Sequence, residues 1–197
     1  MALGKKDAKG IFCLEGDWTN DLRDTSSVEN GLRLLRDTER IPYIHRNIAT
    51  RADFEYYLGK WVNKQYANYP VLYLGFHGVP GGEVIQMPAK KEEVSLDDLA
   101  EILGGRCAGR IIYLGSCYAL DTHGIRLNKF IARTDALAVC GYTKWVAWTV
   151  STAFEIILFF LMQRRAFNRT GARCIERDIL RVSPDLCKRL GFRMKVR

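Results

Sequence analysis

Apolar runs in the sequence alternate with longer stretches in which apolar residues recur at helical spacing. The run at 71–76 is almost continuously apolar, as expected for a strand that is covered on both faces. Strands are predicted at 10–14, 41–45, 71–76, 110–115 and 136–142, with an edge strand at 83–87 after a turn at 79–82.

Helices are predicted between these strands. Ser26 and Thr50 are followed three positions later by an acid, which is capping-box spacing. The alternation of strands and helices predicts a single α/β domain over 1–197, a three-layer sandwich with a mostly parallel central sheet. Helices are expected after Ser26, Thr50 and Ser95, at 125–132, 152–167 and 172–181, and from Pro184 to a stop at Gly191.

Length and composition fit a globular protein. The chain has 197 residues, of which 48% are hydrophobic and 26% charged. The Lys-rich start is not followed by an apolar run of signal-peptide length, and the most apolar stretch, 153–162, is too short to span a bilayer and is interrupted by Glu155. A cytoplasmic protein without membrane contact is therefore expected.

The cysteine pattern argues against a metal site. None of the six cysteines stands in a C-x-x-C pair, so a zinc ribbon or a thioredoxin-type site is not expected. We expect no metal and no other cofactor, and free thiols that are mostly buried.

Basic charge is concentrated in the region 164–197. The net charge is +8, and Lys and Arg balance Asp and Glu over residues 1–163. The region 164–197 holds 11 basic residues and three acidic ones, and arginines recur there at every fourth position from Arg165 to Arg181. This spacing predicts a basic helical surface that is suited to an acidic partner.

Two of the predicted strands end in a reactive side chain. His77 follows the strand at 71–76, and Cys117 follows the strand at 110–115. If these strands are parallel neighbours, both side chains lie at the same edge of the sheet. An imidazole there can take the proton of a thiol, which is mostly protonated at neutral pH, and the N–H groups of Gly78 and Cys117 can form an oxyanion hole.

The motifs Phe76-His77-Gly78 and Gly115-Ser116-Cys117 resemble those of the cysteine peptidases with a caspase-like fold, which include caspases, metacaspases, separase, gingipains and bacterial CHAT proteases. With the order of strands and helices, the resemblance covers about residues 10–167. It implies an endopeptidase with a Cys117–His77 dyad and a protein substrate. Its bacterial members further imply an activating protein partner and a role in cell death or antiviral defence.

The resemblance also indicates where substrate would bind. The specificity pocket in this group draws on the loop after the first strand, the residue before the cysteine and the loop after the fifth strand. An acidic pocket would favour Arg or Lys on the acyl side of the cut bond, whereas Lys144 argues against this preference. The candidate substrate-binding residues are Glu15, Asp17, Ser116, Tyr142 and Trp145.

Other interpretations remain open. His123 is a rival base, whereas His45 lies within a predicted strand and is interpreted as structural. The chain can also be read as a catalytically weak caspase-like adaptor that docks an acidic partner through 164–197. Binding of nucleic acid through the same arginines is not favoured, because no aromatic residues are interleaved with them.

Overall fold

The computed structural model describes residues 8–79, 84–89 and 92–197. Within them a six-stranded sheet has the strand order β2-β1-β3-β7-β8-β9. All neighbouring pairs are parallel except β8–β9, which is antiparallel. The strands are β1 (Ile11–Glu15), β2 (Tyr43–Asn47), β3 (Val71–Gly75), β7 (Ile111–Leu114), β8 (Ala138–Tyr142) and β9 (Phe192–Val196).

A small antiparallel sheet lies beyond the carboxyl end of β3. It consists of β4 (His77–Gly78), β5 (Val84–Gln86) and β6 (Glu93–Ser95). β5 falls within the predicted edge strand at 83–87, of which residue 83 lies outside the described residues, as do positions 80–82 of the predicted turn.

Helices cover both faces of the central sheet, so the predicted three-layer α/β sandwich is confirmed. Because side chains alternate along a strand, central strands such as β3 contribute to two separate apolar cores. Leu72 and Leu74 of β3 pack toward one face, whereas Val71 and Tyr73 pack toward the other. The helices are α1 (Glu29–Glu39), α2 (Arg51–Trp61), α3 (Leu96–Leu103), α4 (Gly124–Thr134), α5 (Trp148–Gln163), α6 (Arg169–Val182) and α7 (Pro184–Leu190), with a 3-10 turn at Lys64–Tyr66.

Local signals predicted the starts of α2, α3 and α7 correctly, whereas α5 and α6 begin four and three residues before the predicted 152 and 172. Thr50 Oγ1 accepts from Asp53 N, and Ser95 forms a complete capping box with Asp98. The predicted cap at Ser26 is wrong, because α1 begins at Glu29 after Val28. The N–H of Val28 donates instead to the carboxylate of Glu15.

The basic region 164–197 contains a strand as well as helices. α6 is continuous, and Arg169, Arg173 and Arg177 on it are exposed. β9 was not predicted. Across the described part of the chain, no helix combines the length and apolar character that a membrane crossing requires.

Candidate functional site

The two predicted reactive side chains line the same cavity. β3 and β7 are parallel neighbours in register, with Leu74 opposite Leu114, so His77 and Cys117 each lie three residues beyond a matched pair. Both residues line a cavity of about 280 Å³ at the carboxyl edge of the sheet, on the face covered by α1 and α5. We call this cavity the thiol pocket.

His77 is oriented by a backbone carbonyl. Its Nε2 lies 2.8 Å from the oxygen of Trp18, and its ring stands edge-on to the Trp18 indole with centroids 5.3 Å apart. A carbonyl oxygen can only accept a hydrogen bond, so Nε2 carries the proton of the neutral ring. Nδ1 is then the unprotonated nitrogen that can accept a proton.

Cys117 lies in a tight turn between β7 and α4. The next residue, Tyr118, has a φ of 59°, a left-handed conformation that is uncommon for a residue other than glycine and costs about 1 kcal/mol. The thiol is partly exposed, and the N–H of Val146 donates to Sγ at 3.4 Å. Sγ also lies 4.0 Å from the carbonyl oxygen of the same residue, so the backbone of Val146 holds the sulfur from two sides.

Gly78 lies against the backbone of the nucleophile candidate. A Cβ at Gly78 would be 1.8 Å from the carbonyl oxygen of Cys117, so no side chain fits there unless the backbone moves. Within the described parts of the chain, the N–H of Cys117 has no hydrogen-bond acceptor. It is therefore available as a hydrogen-bond donor.

The thiol pocket has an exposed mouth and a buried inner end, as judged from the exposure of its lining residues. His77 and Trp145, with 65% of Trp145 exposed, lie at the mouth. Glu155, of which only 5% is exposed, lies at the inner end. The other lining residues are Trp18, Val28, Tyr73, Phe76, Gly115, Val146, Trp148, Ser151 and Thr152.

Glu155 of α5 accepts hydrogen bonds from three tyrosines on three adjacent strands. Tyr113 OH and Tyr142 OH donate to Oε1 at 2.9 and 3.1 Å, and Tyr73 OH donates to Oε2 at 2.7 Å. Burial raises the pKa of Glu155 to about 7, and the negative charge of Glu15 adds to this effect. The three tyrosine hydroxyls act in the opposite direction, because each stabilises the ionised carboxylate.

Glu15 occupies a different environment. It is buried at the end of β1, and its carboxylate accepts hydrogen bonds from Trp18 Nε1, Ser27 Oγ, Val28 N and His45 Nε2. It lines a neighbouring cavity of about 380 Å³ and not the thiol pocket. The bond from His45 agrees with the structural interpretation of that histidine.

The remaining predicted site residues are only partly brought together. Trp145 lines the thiol pocket, whereas the exposed Asp17 lines the two cavities next to it. Ser116 and Tyr142 are fully buried and outside its lining, so we assign their side chains no contact with substrate. The rival base His123 lies at the start of α4 and is also outside the lining.

Three groups that contact His77 or Cys117, or line the thiol pocket, were not predicted from the sequence. The carbonyl of Trp18 and the N–H of Val146 are backbone atoms, which carry no residue signal. Glu155 had a signal, because an acid within an otherwise apolar helix is rarely buried without a partner. No sequence pattern, however, paired it with the three tyrosines.

The chain belongs to a protein family of unknown function, DUF6642, whose family model matches residues 8–195. A comparison with curated proteins gave no match.

Proposed function

We propose that this protein is a cysteine endopeptidase that hydrolyses peptide bonds with Cys117 as nucleophile and His77 as general base. The observation that carries the proposal is the thiol pocket, which both side chains line. The hydrogen bond from His77 Nε2 to the Trp18 carbonyl supports it, because that bond leaves Nδ1 as the proton acceptor.

The first half of the reaction is acylation. His77 takes the thiol proton, and the thiolate attacks the carbonyl carbon of the substrate, forming a C–S bond. The resulting oxyanion accepts a hydrogen bond from the N–H of Cys117. As the carbonyl re-forms, the C–N bond breaks, and the proton held by His77 passes to the leaving amine.

The second half is hydrolysis of the thioester. His77 now removes a proton from a water molecule, which attacks the thioester carbonyl. The C–S bond breaks, the acid product leaves and the proton returns to the sulfur. Each step uses only the dyad, backbone donors and water, so the mechanism calls on no cofactor.

Substitution of the nucleophile tests the proposal. Cys117→Ala is expected to reduce cleavage of a peptide library by at least about 1000-fold. A peptide with a thiol-reactive warhead should label Cys117, as identified by mass spectrometry of the digested protein. Cys174→Ala is the matched control, because Cys174 is another partly exposed thiol, on α6, and should leave cleavage within about twofold.

Two outcomes contradict the proposal. One is that Cys117→Ala retains cleavage within tenfold of the unmodified protein. The other is that neither cleavage nor warhead labelling of Cys117 is detected. Retention of the protein on a polyanion in a salt-dependent manner, without labelling, would instead support the adaptor interpretation of 164–197.

A further inference from the structure

We infer that the thiol pocket binds a cationic side chain of the substrate, Lys or Arg, and that Glu155 selects it. The inference rests on the proposed peptidase function, since it assigns the residue on the acyl side of the cut bond. The carbonyl carbon of that residue becomes bonded to Sγ of Cys117, and Cys117 is part of the pocket wall. Its side chain is therefore the one that the pocket accepts.

The dimensions suit one long side chain. At about 280 Å³ the thiol pocket is slightly smaller than the cavities of about 300–1,000 Å³ that hold drug-sized ligands. Apolar surface from Trp18, Val28 and Trp148 lines it between the mouth and the inner end. A Lys or Arg side chain buries its methylene groups against such walls and carries its charge at the tip.

The hydroxyl groups that line the pocket are left as hydrogen-bond acceptors. Ser151 Oγ and Thr152 Oγ1 both donate to the carbonyl of Trp148, each at 2.9 Å, so their oxygens are left as acceptors. Tyr73 OH donates to Glu155 and is likewise left as an acceptor. An ammonium or guanidinium group has donors and no acceptors, which matches this set.

The carboxylate of Glu155 retains capacity for one more donor. A carboxylate offers about four lone-pair sites, and the tyrosines occupy two on Oε1 and one on Oε2. An acidic side chain would place two negative charges together, and an uncharged one would give the carboxyl group no cation, so that it would tend to hold its proton instead.

The other nearby acids are less suited to this role. All four acceptor positions of Glu15 are occupied, and it lines a different cavity. Asp17 lies in the exposed loop and lines cavities that do not include Cys117. An acid that recognises a basic substrate residue was expected in the loop after β1. We assign this role to Glu155 of α5 instead.

Peptides that differ only at the acyl-side residue test this assignment. With unmodified protein, kcat/KM for Lys is expected to exceed that for norleucine, an uncharged residue with a similar stem, by about 100-fold. Glu155→Gln should reduce this ratio below tenfold by slowing cleavage at Lys, while cleavage at norleucine remains within about tenfold. Equal cleavage of both peptides by the unmodified protein, or an unchanged ratio in Glu155→Gln, would overturn the inference.

Two control variants identify the acid. Asp17→Asn should retain the preference for Lys over norleucine. If this variant lost the preference, Asp17 and not Glu155 would be the acid that recognises the cation. Glu101→Gln, at an exposed glutamate of α3 outside the pocket lining, should also leave the ratio unchanged.

A further test uses only the unmodified protein, so its result does not depend on whether the Glu155→Gln variant folds. Butylammonium should slow alkylation of Cys117 by iodoacetamide, whereas butanol at the same concentration should not. Equal effects of the two would overturn the inference. Protection by butylammonium together with no cleavage of any peptide would support the cation site and contradict the peptidase function, so the two failures are distinguishable.

Discussion

Two buried glutamates on the same face of the sheet can be compared directly. Glu15 and Glu155 are 2% and 5% exposed, and both accept several hydrogen bonds. The donors to Glu15 come mainly from the segment that follows β1, including the backbone N–H of Val28. The donors to Glu155 are side chains of three different strands.

The difference shows that burial and hydrogen bonding alone do not define the role of an acid. Glu15 has no acceptor position left and holds together the segment that carries Trp18, the residue that orients His77. Glu155 retains an acceptor position and lines the thiol pocket. Remaining acceptor capacity at the wall of the thiol pocket is the property on which the proposed binding role of Glu155 rests.

Removal of the Glu15 carboxylate is expected to have the largest effect. Glu15→Ala leaves four donors without their acceptor, so the free energy of unfolding should fall by about 4 kcal/mol. Urea unfolding at pH 7 measures this change. A loss below about 1 kcal/mol would contradict the view that this carboxylate organises the segment after β1.

The pH dependence of stability should report on Glu155. Its pKa is raised from the ordinary value of 4.5 to about 7, so the folded state holds the proton more tightly than the unfolded state. This contribution to stability is fully present below pH 4.5 and is lost as the pH rises through 7. The loss amounts to about 3 kcal/mol.

Comparison with Glu155→Gln isolates this contribution. Urea unfolding of both proteins from pH 4.5 to 8 should show a fall in the unmodified protein that the variant lacks. The groups facing Glu155 are Tyr73, Tyr113 and Tyr142, with Glu15 and Cys13 contributing through space, and all remain in the variant. Parallel pH profiles of the two proteins would contradict the assignment.

Removal of a single donor should have a smaller effect on either carboxylate. Tyr142→Phe takes one hydroxyl from Glu155, and Ser27→Ala takes one from Glu15. Each should lower the free energy of unfolding by about 1 kcal/mol. Only Tyr142→Phe should also raise the pKa of Glu155 further, since one hydroxyl that favours the ionised form is lost. A pH profile identical to that of the unmodified protein would contradict this.

The smallest effect is expected at Asp17. Because the side chain of Asp17 is exposed, Asp17→Asn should change the free energy of unfolding by less than about 0.5 kcal/mol. A loss comparable to that of Glu15→Ala would show that the exposed acid shares the structural role of the buried one. The same urea titration at pH 7 measures it.

Much of the fold could be predicted because local patterns and the final packing agree. The buried strands β3 and β7 are apolar along their length, and their parallel pairing follows from the alternation with helices. β9 was missed although Phe192-Arg193-Met194-Lys195-Val196 alternates between apolar and basic residues, a strand pattern. The fourfold spacing of arginines in 164–197 is a helical pattern and predicts no strand there.

The site was less predictable than the fold. Residue type and position at strand ends suffice to nominate His77 and Cys117, which line one cavity. The resemblance indicated Glu15 as a substrate-binding residue, whereas its side chain is buried and lines a different cavity. Contacts between distant segments, such as Glu155 with β3, β7 and β8, depend on tertiary packing that local patterns do not encode.

The antiparallel strand β9 also has a consequence for biosynthesis. It follows every other element in the chain, yet Gly191, which precedes it, accepts hydrogen bonds from the N–H and hydroxyl of Thr143 in the segment that leads to Val146. During translation Cys117 emerges from the ribosome long before this anchor does. A nascent chain would therefore form the turn that carries Cys117 before the segment leading to Val146 is held in place, and the thiol pocket would be complete only when β9 has joined the sheet.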